Sequence, residues 1–154
     1  MRTISAILAA KGPLSNTMEA SATVLEALGL MQCLNTQFVV VMRCGKYAGV
    51  FTESDYTRKV ILRNRHSHNT LLHEVMTADL PFVSELDTAG HAILMMNLYK
   101  TRYLPVFEDF AFSGMITFND LMREAMRDKE LMPFMEETIL SRSASESMSR
   151  DALY

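Results

Sequence analysis

Gly49-Val50-Phe51-Thr52-Glu53-Ser54-Asp55-Tyr56-Thr57-Arg58 and Gly114-Met115-Ile116-Thr117-Phe118-Asn119-Asp120-Leu121-Met122-Arg123 are one pattern written twice, G-x-x-T-x-x-D-x-x-R, 65 residues apart. Extended upstream without a gap, the segments that start at Thr23 and Thr88 share nine identities over 36 positions, where average composition gives roughly two. A repeat of this period decides architecture before any single residue does. The 154 residues therefore read as two copies of one small unit, with function expected where the pattern falls.

Each copy reads as the same series of elements. In the second, residues 71–76 are a short helical lead-in, and Leu80-Pro81-Phe82-Val83 is an extended segment restrained by its proline. Asp87 and Thr88 offer caps for a helix with Ala89, Ala92, Ile93, Met96 and Tyr99 on one face. Residues 103–107 and 111–117 form a hairpin in which Pro105 suits an edge or a ligand-facing position, and a last helix starts near Asn119. In the first copy Ile4 and Ile7 stand for Leu72 and Val75, Pro13 stands for Pro81, and Val24, Leu28 and Met31 form the helical stripe. Its hairpin runs through residues 38–42 and 47–52 and turns at Cys44-Gly45-Lys46.

The unit is thus strand, helix, strand, strand, helix, which places the chain in the α+β class. A sheet of about three strands is marginal alone, so the two copies are expected to pack together. The domain boundaries read as 1–66 for the first copy, 67–127 for the second and 128–154 for a C-terminal extension. That extension holds an amphipathic helix with Phe134, Met135, Ile139 and Leu140, which needs either its own core or another subunit as partner. From Ser141 onward five serines and few large apolar groups predict a mobile tail.

With 49% hydrophobic and 21% charged residues, the composition is that of a soluble globular protein. No apolar run approaches the roughly 18 residues of a membrane span, and the first ten residues read as a helical turn or two rather than a signal peptide. A net charge of −3 argues against a nucleic-acid footprint. Cys33 and Cys44 lack CxxC spacing, which predicts buried or idle thiols in a reducing compartment, the cytoplasm. The 13 methionines, many on helix faces (Met31, Met95, Met96, Met122, Met126), read as adaptable packing, including packing at a subunit interface. His66, His68 and His73 have no companion ligands at metal spacing, so no metal site is expected. No nucleophile stands beside a base and no Walker loop is present, so no catalytic residue is assigned and the chain is not expected to be an enzyme.

The repeated motif has two readings on chemistry alone. Thr followed three residues later by Asp is a capping box, in which the threonine accepts from a helix N–H and the carboxylate reaches back to the cap N–H. Losing such a cap costs about 1 kcal/mol, enough to account for the residues without a ligand. Arg58 and Arg123 then read as i, i+3 ion pairs with Asp55 and Asp120. The same groups, with the helix N-terminus, also suit an anionic ligand.

The second copy, from His73-Glu74-Val75-Met76-Thr77 through Tyr103-Leu104-Pro105-Val106 to Gly114-Met115-Ile116-Thr117-Phe118-Asn119-Asp120-Leu121, resembles a cystathionine-β-synthase-type (CBS) domain. The first copy, ending in residues 49–60, is similar to the first domain of small stand-alone tandem CBS proteins, so the resemblance covers about residues 1–127. It implies two CBS-type units packed as a pseudo-twofold pair, commonly dimerised into a flat disc, that bind an adenosine-containing ligand and regulate a partner protein. AMP, ADP or ATP is the implied class, with S-adenosylmethionine or NADH as further candidates; no cofactor is required.

Carried onto this sequence, the resemblance implies that Asp120 takes ribose hydroxyls while Thr117 and the helix N–H groups face a phosphate. Gly114 would allow close approach, Pro105 belongs to the family's usual binding pattern, Tyr103 would stack on a base or simply pack, and Arg102 or Arg123 would neutralise charge. In the first copy the equivalent residues are Gly49, Thr52 and Asp55, with Arg58 or Lys59 reaching phosphates from the one basic cluster, residues 58–68. The copies differ where the family is usually constant. Val40 replaces the proline in the first, Tyr103 replaces a frequent histidine in the second, and the turn at residues 107–111 lacks the usual glycine. The competing function is a ligand-free scaffold in which both motifs are caps and methionine-rich helices make a homodimer.

Overall fold

The computed structural model describes residues 1–151, with side chains described through residue 144. In chain order the elements are α1 Ile4–Lys11, β1 Thr17–Glu19, α2 Val24–Leu34, β2 Phe38–Arg43, β3 Lys46–Thr52, α3 Glu53–Asp55, α4 Leu72–Val75, β4 Val83–Ser84, α5 Ala89–Leu98, β5 Tyr103–Glu108, β6 Ala111–Thr117, α6 Phe118–Arg127 and α7 Met132–Asp151. They form two three-stranded sheets of the same design, ordered β1-β2-β3 and β4-β5-β6. In each, a short first strand runs parallel to the middle one and the hairpin is antiparallel. Each hairpin carries its register shift at the same place, Val41/Met42 and Val106/Phe107.

The chain divides into a central unit, Leu14–Leu80, and a C-terminal unit made of Met1–Pro13 with the chain from Pro81 onward. The compact units are therefore not the sequence copies with boundaries 1–66 and 67–127: each copy's helical lead-in has been exchanged. Backbone bonds hold the two exchanged lead-ins in matching positions. Ile4 N–H donates to Asp87 O at 2.8 Å and Ser5 N–H to Glu85 O at 2.9 Å, while Leu72 N–H donates to Ala22 O at 2.9 Å and His73 N–H to Ala20 O at 3.1 Å. Apolar burial drives the arrangement. Ile4 and Ile7 of α1 close a core with Val83, Ile93, Met96, Leu104 and Ile116. Leu72 and Val75 of α4 close another with Val24, Met31, Val39 and Phe51.

The C-terminal extension is part of the second of these units. Leu131 and Met135 are buried in its core with Phe134 packed against it, so the amphipathic helix has its own unit as partner. The tail expected to be mobile from Ser141 is helical through Asp151, and residues 152–154 lie outside the described part. Tyr99 does not join the inner face of α5: it is the C-cap residue, 56% exposed. Both cysteines are free and exposed, which overturns the buried alternative of the expected buried or idle thiols, because Cys44 sits in the hairpin turn and Cys33 on an outer position of α2. No helix among the described residues is long and apolar enough to cross a membrane.

Candidate functional site

Both motifs fold as capping boxes. Thr52 caps α3 and Thr117 caps α6, each accepting from the aspartate N–H at 3.2 Å. In return the carboxylates accept from the threonine N–H, at 3.0 Å for Asp55 and 2.9 Å for Asp120. Each aspartate is 6% exposed. A buried carboxylate this close to a helix start is stabilised by the helix dipole and by the donors around it.

What completes each carboxylate's shell differs. Asp55 Oδ2 also receives the Thr52 hydroxyl at 3.2 Å, while its Oδ1 accepts from the Thr77 hydroxyl at 2.8 Å and faces Lys59 Nζ at 3.0 Å. Four donors therefore meet a group with about four acceptor positions. Asp120 Oδ2 takes Lys11 Nζ at 2.7 Å in addition to the cap, and its Oδ1 takes only Arg123 at 3.3 Å, a side chain 72% exposed. Among the described residues, Asp120 thus keeps an acceptor position held by one long contact to a solvent-exposed arginine.

Lys11 and Thr77, the two residues that sequence reading missed here, end the exchanged lead-ins. Lys11 also donates to Met115 O at 2.8 Å, and Lys59 to Thr77 Oγ1 at 3.1 Å. Lys59 and Glu124 occupy the same repeat position with opposite charge, and Glu124, 4% exposed, pairs with Arg2 at 3.1 Å. The ion pair expected between Arg58 and Asp55 is not formed: the chain after Asp55 runs through a π-helical turn, Tyr56–Val60, and Lys59 takes the carboxylate while Arg58 is exposed. The corresponding pair in the other motif, Arg123 with Asp120, is formed.

The motif glycines are fixed by protein contacts. A Cβ on Gly49 would meet the Thr77 carbonyl oxygen at 2.7 Å, and one on Gly114 would meet a Leu8 methyl at 3.0 Å. Val50 and Thr77 exchange backbone bonds at 2.9 and 2.8 Å, which presses the lead-in against Gly49.

Pro105 lies in the middle strand of its sheet, not at the edge. Its counterpart Val40 donates its N–H to Asn16 O at 2.9 Å and pairs with Thr17. Pro105 has no N–H to give, and β4 begins one step later, at Val83 opposite Val106. The proline thereby shortens β4 to two residues where β1 has three.

Around the second motif, Phe118 N–H donates to Arg102 O at 2.9 Å. The Arg102 guanidinium lies 5.9 Å from the centre of the Phe118 ring, and that of Arg142 lies 4.7 Å from the same centre. Arg142 Nη2 donates to Thr101 O at 2.8 Å. Tyr103 is half-buried, its N–H donating to the Thr101 hydroxyl at 3.2 Å.

A family model described as "CBS domain" matches residues 72–127. The chain is 31% identical over 111 residues to the CBS domain-containing protein CBSX3, mitochondrial, of Arabidopsis thaliana, a match spanning 69% of this chain and 54% of that protein's length. It superposes on a protein with CBS domains from Burkholderia ambifaria MC40-6 with a TM-score of 0.77 and 29% identity, covering 82% of this chain and 96% of the other. Residues 72–127 belong to the CBS domain family, and the chain as a whole is similar to proteins with CBS domains. A more distant likeness in fold is the CBS domain pair of protein MJ0100, solved with 5′-methylthioadenosine and S-adenosyl-L-methionine. Its TM-score is 0.68 at 22% identity, covering 79% of this chain and 94% of the other. Within this CBS frame the two motifs are the repeated helix starts, and the differences lie in what each carboxylate already holds.

Proposed function

We propose that this CBS pair is a regulatory module whose C-terminal unit binds an adenosine-containing nucleotide of the AMP, ADP or ATP class against Asp120, and whose occupancy modulates a partner protein. The observation that carries the reading is the incomplete shell of Asp120 beside the cap Thr117. A ribose hydroxyl can replace the exposed Arg123 without undoing either the cap or the Lys11 pair. The ligands of the MJ0100 pair support the adenosine class. Tyr103 pairs opposite Thr117, Pro105 opposite Met115 and Gly114 opposite Val106 in the hairpin that leads into α6, and Arg102 O accepts from Phe118 N–H, whereas Thr52, Asp55, Gly49 and Lys59 are engaged structurally in the central unit, leaving Arg58 exposed there. Calorimetric titration with AMP, ADP, ATP, S-adenosylmethionine and NADH tests the reading: saturable binding by a nucleotide of the AMP, ADP or ATP class is expected, and binding by none of the three would sink it.

A second reading, the interaction scaffold, is favoured by a different observation. Leu94 and Leu98 on α5, Met126 on α6 and Leu140 on α7 are 47%, 72%, 80% and 68% exposed. Apolar helix positions of this kind fit a homodimer. The exposed thiols fit a reducing compartment, the cytoplasm or a mitochondrial matrix. Under the scaffold reading the chain dimerises and Asp120→Asn changes stability but no ligand response.

A further inference from the structure

We propose that the turn from Arg58 to His66 in the central unit docks on an anionic lipid bilayer, with Ile61 and Leu62 entering the headgroup layer and Arg58, Arg63 and Arg65 meeting lipid phosphates. The turn lies outside the unit that holds Asp120, so it is independent of any nucleotide bound there. The local backbone explains how it is presented. After α3 the chain passes through the π-helical turn Tyr56–Val60 and a 3₁₀ turn, Ile61–Arg63, then stops at Asn64 in the left-handed region at φ 54°. Val60 is buried in the core, but Ile61 and Leu62 are 52% and 70% exposed, and every residue from 61 to 66 is exposed. The knuckle is nonetheless held in place. Asn64 N–H donates to Ile61 O at 3.2 Å, Arg65 N–H to Val60 O at 2.9 Å and Thr70 N–H to His66 O at 3.1 Å.

Charge surrounds the two aliphatic side chains. From Arg58 to His68 there is no acidic residue, in a chain whose net charge is −3. Lys59 is committed to Asp55 and Thr77, but Arg58 and Arg63 are exposed and form no ion pair among the described residues. Arg65 faces Glu74 at 3.6 Å, an exposed pair that holds it only weakly. Glu53 opens the same helical run at its other end. Guanidinium forks match lipid phosphates, and each such cation near an anionic bilayer strengthens binding about fivefold. Exposed apolar side chains ringed by cations are what a headgroup layer accepts: the aliphatic groups leave water while the charges stay among phosphates.

The repeat supplies a comparison within the chain. At the matching positions of the C-terminal unit, Lys59 becomes Glu124, Leu62 becomes Arg127, Arg63 becomes Asp128 and Arg65 becomes Glu130. That stretch stays a regular α-helix to Arg127 and runs on into the packed Leu131, so it has neither the knuckle nor its charge. The shape favours a bilayer over an acidic protein. Six consecutive exposed residues make a convex surface rather than a groove, and the bonds at Val60, Ile61 and His66 spend main-chain groups inside the turn, so a peptide finds no strand edge to extend. The docking is peripheral, in keeping with the lack of a membrane-crossing helix among the described residues.

The test mixes the intact chain with phosphatidylcholine vesicles, with and without about 30% phosphatidylserine, at low and high salt, and measures the fraction that sediments. Leu62→Asp and Arg63→Glu change exposed side chains, so each is expected to melt with the wild type. The wild type is expected to bind the phosphatidylserine vesicles about tenfold more strongly than the neutral ones, and to leave them at high salt. Leu62→Asp and Arg63→Glu are each expected to weaken that binding about tenfold, while Met126→Asp, at the position matching Ile61, keeps it. No sedimentation of the wild type with phosphatidylserine vesicles, equal binding to both compositions, or either turn variant binding as the wild type does would overturn the proposal. Binding to poly-glutamate that Arg63→Glu weakens, with none to vesicles, would overturn it in favour of an acidic protein partner.

Discussion

Asp55 and Asp120 are the same residue of the same repeated sentence, yet one is finished and the other is not. In the central unit the cap, the Thr52 and Thr77 hydroxyls and Lys59 use up the acceptor positions of Asp55. In the C-terminal unit the lysine arrives from α1 instead, no counterpart of the Thr77 hydroxyl bond is formed, and an exposed arginine covers what is left of Asp120. Identity in sequence thus marks a shared helix start, and the difference in hydrogen bonding grows from which side chains the exchanged lead-ins bring. A duplicated motif diverges first through its neighbours.

The comparison can be broken at the glycines, where the largest stability effect is expected. Gly49→Ala places a methyl 2.7 Å from the backbone carbonyl of Thr77, which cannot move without tearing the Val50–Thr77 bonds. A loss of about 2–3 kcal/mol is expected for this overpacking. Gly114→Ala meets only the far end of Leu8 at 3.0 Å, a side chain that can change rotamer, and should cost under about 1 kcal/mol. Urea denaturation of both variants measures the difference; equal losses would mean that the two lead-ins press on their sheets alike.

A smaller effect, of opposite sign, is expected at the hairpin tips. The central unit turns through Cys44 and Gly45 at φ 51° and 76°, whereas the C-terminal unit turns through Asp109 and Phe110 at φ 47° and 64°. Phe110 is fully exposed, so no packing offsets its left-handed backbone. Left-handed backbone costs a bulky residue about 1–2 kcal/mol, so Phe110→Gly should raise stability by up to about 1 kcal/mol after the added freedom of the unfolded glycine is subtracted. A fall in melting temperature would show instead that the exposed ring is held by contacts that stabilise the turn.

Much of the fold was legible because its signals are local. The caps Thr88, Thr52 and Thr117, the hairpins and the buried stripes of Ile4 and Ile7 or Leu72 and Val75 all follow from spacing within a few residues. What escaped is non-local. Lys11 meets Asp120 across 109 positions, and Arg142 meets Phe118 from a stretch whose serine content suggested a tail. Pro105 suited an edge or a ligand-facing position, and the edge alternative fails because a lone proline says nothing of how far the neighbouring strand extends; β4 simply stops short of it. The motif picks out both cap carboxylates, but hydrogen-bond saturation, which separates them, depends on residues that the pattern does not contain.

The central claim is that the unfinished carboxylate is the one that binds. Titrating AMP by calorimetry into the wild type, Asp55→Asn and Asp120→Asn tests it most directly, since asparagine keeps the shape of each cap while removing the charge. Binding that survives in Asp55→Asn within about twofold and weakens about tenfold or more in Asp120→Asn is the predicted result. Loss in Asp55→Asn with retention in Asp120→Asn, or equal loss in both, would contradict it.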